Sequence, residues 1–146
     1  MLVKDIMTTN MVVMGPERTV MDAARLMQKH NIGSIPVTDP SGNIAGIITD
    51  RDIVVRCLTQ NLNPTSTTVN SIMTVNVITC TPETDITSAV KTMSEKKIRR
   101  LPVMMAGKVA GIISLGDLAT NVFINNEATQ ALSDISEPSR PMNITH

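Results

Sequence analysis

The chain repeats itself, and the repeat limits what it can fold into. VKDIMTTN at Val3–Asn10 returns as VNSIMTVN at Val69–Asn76, 66 residues later. That offset holds through Pro16–Glu17 and Pro82–Glu83, and through IGSIPV at Ile32–Val37 and IRRLPV at Ile98–Val103. One residue is then lost from the second copy, so that GNIAGII at Gly42–Ile48 aligns with GKVAGII at Gly107–Ile113. Between Val3 and Ile53, with Pro40 unpaired, 18 of 50 aligned pairs are identical. Unrelated segments of ordinary composition would give about three. Self-similarity at a fixed period means one supersecondary unit used more than once. A unit of about 55 residues buries a sheet poorly by itself. Two copies stacked sheet against sheet would share one core and carry a pseudo-two-fold axis.

Each copy reads in the same order. A short apolar segment, Met11–Met14 or Val77–Cys80, reads as a strand and is followed by a turn at Pro16 or Pro82. Val20, Ala23, Ala24 and Met27, and in the second copy Ile86, Ala89, Val90 and Met93, fall at i, i+3, i+4 and i+7. That spacing predicts a helix with one apolar face. Thr19 and Asp85 stand where N-caps are needed. SIPVTD and RLPVMM then read as strands, and turns at DPSGN and MAGK lead into IAGII and VAGII. A closing helix is expected on Ile53, Val54, Cys57 and Leu58, and on Leu118, Ala119, Val122 and Phe123. The fold class is α+β: a duplicated β-α-β-β-α unit, with two small sheets packed about a pseudo-two-fold. We place the first repeat at 1–60, a polar linker containing Pro64 at 61–68, and the second repeat at 69–124. In the C-terminal extension, 125–146, NNEATQALSD can prolong the last helix. SEPSRPMNITH, with two prolines, is expected to be mobile or packed on a partner.

Composition excludes several function classes. With one Phe and no Trp or Tyr, the core must be built from Ile, Val, Leu, Met and Ala, and the eleven Met read as flexible core filler or, alternatively, as a promiscuous binding surface. Net charge is zero, without the basic balance of a nucleic-acid binder, so neither nucleic acid nor an anionic membrane is expected as a partner. No apolar run approaches the length of a membrane-spanning helix. The opening MLVKDIMT lacks the apolar core of a signal peptide. Cys57 and Cys80 match no metal or redox spacing. Free thiols and a cytoplasmic location are the expectation. There is no Gly-rich phosphate loop, and His30 reads as a partner of a helix C-terminus rather than a base. No catalytic group and no metal site are therefore expected.

One phrase occurs in both copies and carries chemistry: GIITDRD at Gly46–Asp52 and GIISLGD at Gly111–Asp117. Thr49 with Asp52, and Ser114 with Asp117, fit a capping box at the start of a helix. The same place suits a ligand. A helix N-terminus presents free N–H groups and favours an anion. A hydroxyl there can donate to a phosphate oxygen, whereas a carboxylate would repel it but can accept from a ribose diol. Both readings can hold together. Gly46 and Gly111 lie within strands, where a missing side chain allows backbone or ligand to come close.

Taken together, the IMT openings, the IPV and LPV strands and the doubled phrase resemble a tandem pair of CBS domains, the cystathionine β-synthase type, also called a Bateman module. The resemblance covers Val3–Phe123. It implies two symmetry-related clefts that bind adenosine nucleotides (AMP, ADP, ATP) or S-adenosylmethionine. It assigns phosphate contact to Thr49 and Ser114, and ribose contact to Asp52 and Asp117. The segment after each IMT is expected to line the cleft of the opposite copy. Thr8, Asn10 and Val12 would then meet Ser114 and Asp117, and Thr74, Asn76 and Ile78 would meet Thr49 and Asp52. Arg100, with Arg99 beside it, matches a phosphate-binding position, while the first copy has Ser34 in place of Arg100. The Arg100 cleft is thus expected to be the stronger phosphate site, with Arg51 a substitute cation in the other. Lys96, Lys97, Arg99 and Arg100 also read simply as a solvated turn. The resemblance further implies a homodimer formed through helices and a separate effector protein. The competing expectation is a structural dimerisation module whose hydroxyl–aspartate pairs are only caps.

Overall fold

Thr19 and Asp85 cap the first long helix of each copy. Thr19 accepts from Asp22 N at 3.1 Å while Asp22 reaches back to Thr19 N at 3.2 Å, and α1 runs over Val20–His30. These bonds from Thr19, backbone first and side chain second, hold the Asp22 carboxyl below its ordinary range. Asp85 accepts from Thr87 N at 2.8 Å and opens the matching helix, Ile86–Lys96. Both helices end on a non-glycine residue in the left-handed region, Asn31 and Lys97, each with φ of 53°. The computed structural model describes residues 1–121 together with Asp134 and Ile135. The calls on Val122, Phe123 and the rest of the extension lie outside the described residues.

After α1 come β1, Ser34–Thr38, and β2, Ile44–Thr49, an antiparallel pair. α2 begins at Asp50–Asp52 and widens into a π-helical turn at Ile53–Leu58. In the second copy α3 is Ile86–Lys96, β3 is Arg100–Met105, β4 is Lys108–Ser114 and α4 is Leu115–Asn121. Pro40, the unpaired residue of the repeat, falls in the β1–β2 turn, while Ala106 and Gly107, at φ 52° and 78°, close the shorter β3–β4 hairpin. The two hairpins meet at their tips through an Asn43–Lys108 bridge and a hydrogen bond from Lys108 Nζ to Ser41 O.

The expected first strand of each copy is a single bridge. Met14 pairs in parallel with Val37, and Cys80 with Val103. Pro36 and Pro102 on the partner strands accept from Met14 N and Cys80 N but have no N–H to donate back, so the ladder does not extend toward the start of either segment. The closing helix of the first copy also differs from expectation. Ile53 and Cys57 are buried, but Val54 and Leu58 are exposed. The π turn, with Thr59 N donating to Val54 O at 3.1 Å, keeps the first pair on the core and turns the second to solvent. Both thiols are free. Cys57 is buried, and half-burial pushes Cys80 up to about 11.

The core is divided rather than shared. One cluster gathers Val20, Ala23, Met27, Ile35 and Ile48 of the first copy, and the other Ile86, Ala89, Met93, Leu101 and Ile113 of the second. Each is completed by the opening segment of the other copy. Val69, Ile72 and Met73 enter the first cluster, and Val3 enters the second, with Ile6 and Met7 against it. The exchange is reciprocal bond for bond. Val3 N donates to Thr84 O at 2.9 Å and Val69 N to Arg18 O at 2.8 Å. Lys4 N reaches Pro82 O at 3.0 Å and Asn70 N reaches Pro16 O at 3.1 Å. A unit this small thus closes its core by borrowing residues from its twin.

Candidate functional site

Gly46 and Gly111 let the exchanged segments reach the strands. A side chain on Gly46 would begin 2.7 Å from Thr74 O, and one on Gly111 would begin 2.9 Å from Thr8 O. With that space open, Thr74 and Ile47 trade two backbone hydrogen bonds, both 2.9 Å. Thr8 and Ile112 do the same at 2.8 and 2.9 Å. The glycines serve approach of backbone, and this approach sets a threonine of one copy beside the capping box of the other.

Both capping boxes are closed. Asp52 N donates to Thr49 Oγ1 at 3.1 Å and Thr49 N to Asp52 Oδ2 at 3.0 Å. Asp117 N donates to Ser114 Oγ at 3.1 Å and Ser114 N to Asp117 Oδ2 at 2.9 Å. Across the seam, Thr74 Oγ1 lies 3.4 Å from both Asp52 oxygens, and Thr8 Oγ1 lies 3.4 Å from Asp117 Oδ1. The hydroxyl, the carboxylate and the incoming threonine converge twice.

The two carboxylates are not equivalent. Asp52 is 7% exposed and lies 3.7 Å from Arg56 Nε. Arg56 Nη1 also donates to Ile72 O and Met73 O, both at 3.4 Å, so it ties the exchanged segment to α2. The matching position in the second copy is Asn121, whose amide turns back to Asp117 O at 2.8 Å. Asp117 therefore has no cation against it among the described residues, and its Oδ1 holds only the long contact with Thr8.

A cavity of about 670 Å³ opens at the second box. Thr8, Asn10 and Val12 line it from the exchanged segment, and Arg99, Arg100 and Ser114 from the second copy. Its far wall is His30, Asn31, Gly33 and Ser34, where α1 turns into β1. The volume lies within the range of small-molecule sites. Of the residues named for the other cleft, Thr49, Asp52 and Thr74 come together. Asn76 and Ile78 lie at the surface and form no hydrogen bond with Thr49 or Asp52. Arg51 is exposed at the start of α2.

The CBS domain family matches this chain twice, over residues 3–58 and 69–123. The chain is a pair of CBS domains. It is 39% identical to the CBS domain-containing protein YhcV of Bacillus subtilis over 134 residues, covering 92% of this chain and 94% of that one. It is 29% identical to hypoxic response protein 1 of Mycobacterium tuberculosis over 119 residues, covering 82% and 83% of the two chains. The CBS domain pair of MJ0100, solved with 5-methylthioadenosine and S-adenosyl-L-methionine, superposes with a TM-score of 0.74 at 34% identity, covering 82% of this chain and 94% of that one.

Within the CBS pair, sequence reasoning missed the wall from the first copy and the Arg56 tie. His30, at the end of α1, and Ser34, in the place of Arg100, both line the Arg100 cavity. The legible signal was the pseudo-two-fold itself, which relates residues 30–34 to residues 96–100; the cavity brings residues 30–34 together with Arg99 and Arg100. Arg56 had no counterpart in the second copy, so comparing the copies passed over it. Among the described residues no group of three or more His, Cys, Asp or Glu could hold a metal.

Proposed function

We propose that this CBS pair is a non-catalytic regulatory module that binds adenosyl ligands, such as AMP, ADP, ATP or S-adenosylmethionine, between its repeats and passes ligand state to an effector protein. One observation carries the reading: Arg100, Thr8 and Ser114 line one cavity, and Asp117, which is not itself in that lining, is joined to it through its capping-box partner Ser114 and the long contact from Thr8. Asp117 has the free accepting capacity a ribose diol needs. Ser114 Oγ and the planar guanidinium of Arg100 suit a phosphate. Thr8, Asn10 and Val12 would line the base end. The Arg100 cleft is the stronger phosphate site. The Thr49–Asp52 cleft, with Ser34 in the place of Arg100, favours a less charged adenosyl group. The solved MJ0100 pair, crystallised with two adenosyl compounds, supports this ligand class.

Ligand binding to the native state raises stability by about 2.7 kcal/mol at a hundredfold excess over Kd. Thermal shift and calorimetry across AMP, ADP, ATP, adenosine and S-adenosylmethionine test the reading, and no response at millimolar concentration to any of them refutes it. Asp117→Ala should lose ligand affinity well beyond the roughly 0.5–2 kcal/mol of stability that a cap supplies. A second reading, a dimerisation module with empty clefts, is favoured by two observations. The capping boxes are satisfied internally, and Val54, Val55 and Leu58 stand 52%, 43% and 52% exposed on one helix. In the proposal this apolar face is the homodimer contact. Sedimentation as a monomer across micromolar concentrations would remove that part. We also place the module in the cytoplasm, consistent with its free thiols.

A further inference from the structure

The two copies differ in charge where the turn after α1 approaches Arg100. Ser34 in one is Arg100 in the other, Gly33 is Arg99, and Asp50 is Leu115. These differences meet at one point. A side chain begun on Gly33 would stand 2.9 Å from Asp50 Oδ2 and 3.1 Å from Arg100 Nη2. The guanidinium of the second copy and the carboxylate of the first therefore lie within about 6 Å of one another, over the bare backbone of Gly33. Asp50 is exposed, and its Oδ1 accepts from Arg51 N at 2.8 Å, which leaves Oδ2 as the oxygen near Gly33. Neither Asp50 nor Arg100 forms an ion pair among the described residues. Arg100 is thus near an acid without being clamped by it.

Building on the proposed adenosyl site, we propose that Asp50 is an internal competitor for Arg100 and sets the discrimination between phosphorylated and unphosphorylated ligands. A phosphate entering the Arg100 cavity must draw the guanidinium away from Asp50 and also meets the field of that carboxylate. A neutral adenosine does neither. Asp50 would lower affinity for the phosphate-bearing ligand alone.

The test is the ratio of AMP to adenosine affinity, measured by calorimetry on wild type, Asp50→Asn and Glu17→Gln. Asn retains an acceptor for Arg51 N, so the helix start is kept. Glu17→Gln removes the same charge at the opposite end of α1. Asp50→Asn should raise the AMP-to-adenosine ratio by up to about fivefold, the range of an exposed ion pair, with adenosine affinity unchanged. Glu17→Gln should leave the ratio alone. Adding Arg100→Gln should abolish the effect of Asp50→Asn. An unchanged ratio, an equal gain for both ligands, or the same gain in Glu17→Gln overturns the role of Asp50 while leaving the adenosyl site standing. Failure of wild type to bind either compound, or any other adenosyl ligand, overturns the site and this inference with it.

Discussion

Gly46→Ala is the substitution that reads the exchange of segments most directly. Gly46 lies buried on β2 opposite Val37. A methyl there would begin 2.7 Å from Met73 Sδ and 2.7 Å from Thr74 O. The methionine can swing aside, but Thr74 is held to Ile47 by two backbone bonds of 2.9 Å, so its carbonyl moves only if the segment moves. Forcing a methyl into a packed contact costs about 1–3 kcal/mol. Losing the two bonds adds about 0.5–1.5 kcal/mol each. Reduced freedom of the unfolded chain offsets about 0.4–1 kcal/mol. The net is a loss of about 1–5.5 kcal/mol, or a fall in Tm of roughly 3–20 °C for a chain of this size. Thermal melting followed by circular dichroism measures it. Gly116→Ala is the control, since its nearest neighbour is Ser114 Oγ at 3.6 Å and it sits in α4, where alanine is favoured. A Gly46→Ala protein melting within about 2 °C of wild type would refute the argument that the exchanged backbone is pinned against β2.

Arg56→Ala should cost about 1 kcal/mol, because it removes the contact with Asp52 and two bonds to the exchanged segment from a side chain that is half exposed; denaturant titration checks it, and Asn121→Ala should cost less. Asp22 has its carboxyl held low in the fold by the bonds from Thr19. Its stabilisation is therefore present above about pH 3.8 and lost as pH falls through the lower folded value. Wild type should melt above Asp22→Asn near pH 6 and converge with it in stronger acid. Cys80, raised to about 11 by burial, favours the folded state below the ordinary thiol value of 9.0, and that contribution fades between pH 9.0 and about 11. Iodoacetamide labelling followed by mass spectrometry should accordingly find Cys80 slow to react at pH 8 and faster as pH climbs toward 11.

The duplication, the caps, the long helices and the hairpins are legible in the chain without its partner contacts. These rest on local spacing: Thr19 before Val20, Asp85 before Ile86, and the i, i+3, i+4, i+7 apolar sets are short-range facts that survive any arrangement of the two copies. The hydroxyl–aspartate boxes were legible for the same reason, since a cap is closed within three residues. The pairing of Thr8 with Asp117 and of Thr74 with Asp52 was anticipated only through the family resemblance, because nothing local tells a segment which copy it will join. Tertiary structure alone decided that the core splits in two and that each half is completed by its twin. It also decided that Val54 and Leu58 face outward from a π turn. The inequality of the clefts was visible in part, as Ser34 against Arg100. Its sharper form was not, because Arg56 reaches residues 16 and 17 positions away, and Arg100 comes within about 6 Å of Asp50 across the seam. Such contacts depend on where the pseudo-two-fold axis falls, and that is set by packing two cores together rather than by any stretch of either copy.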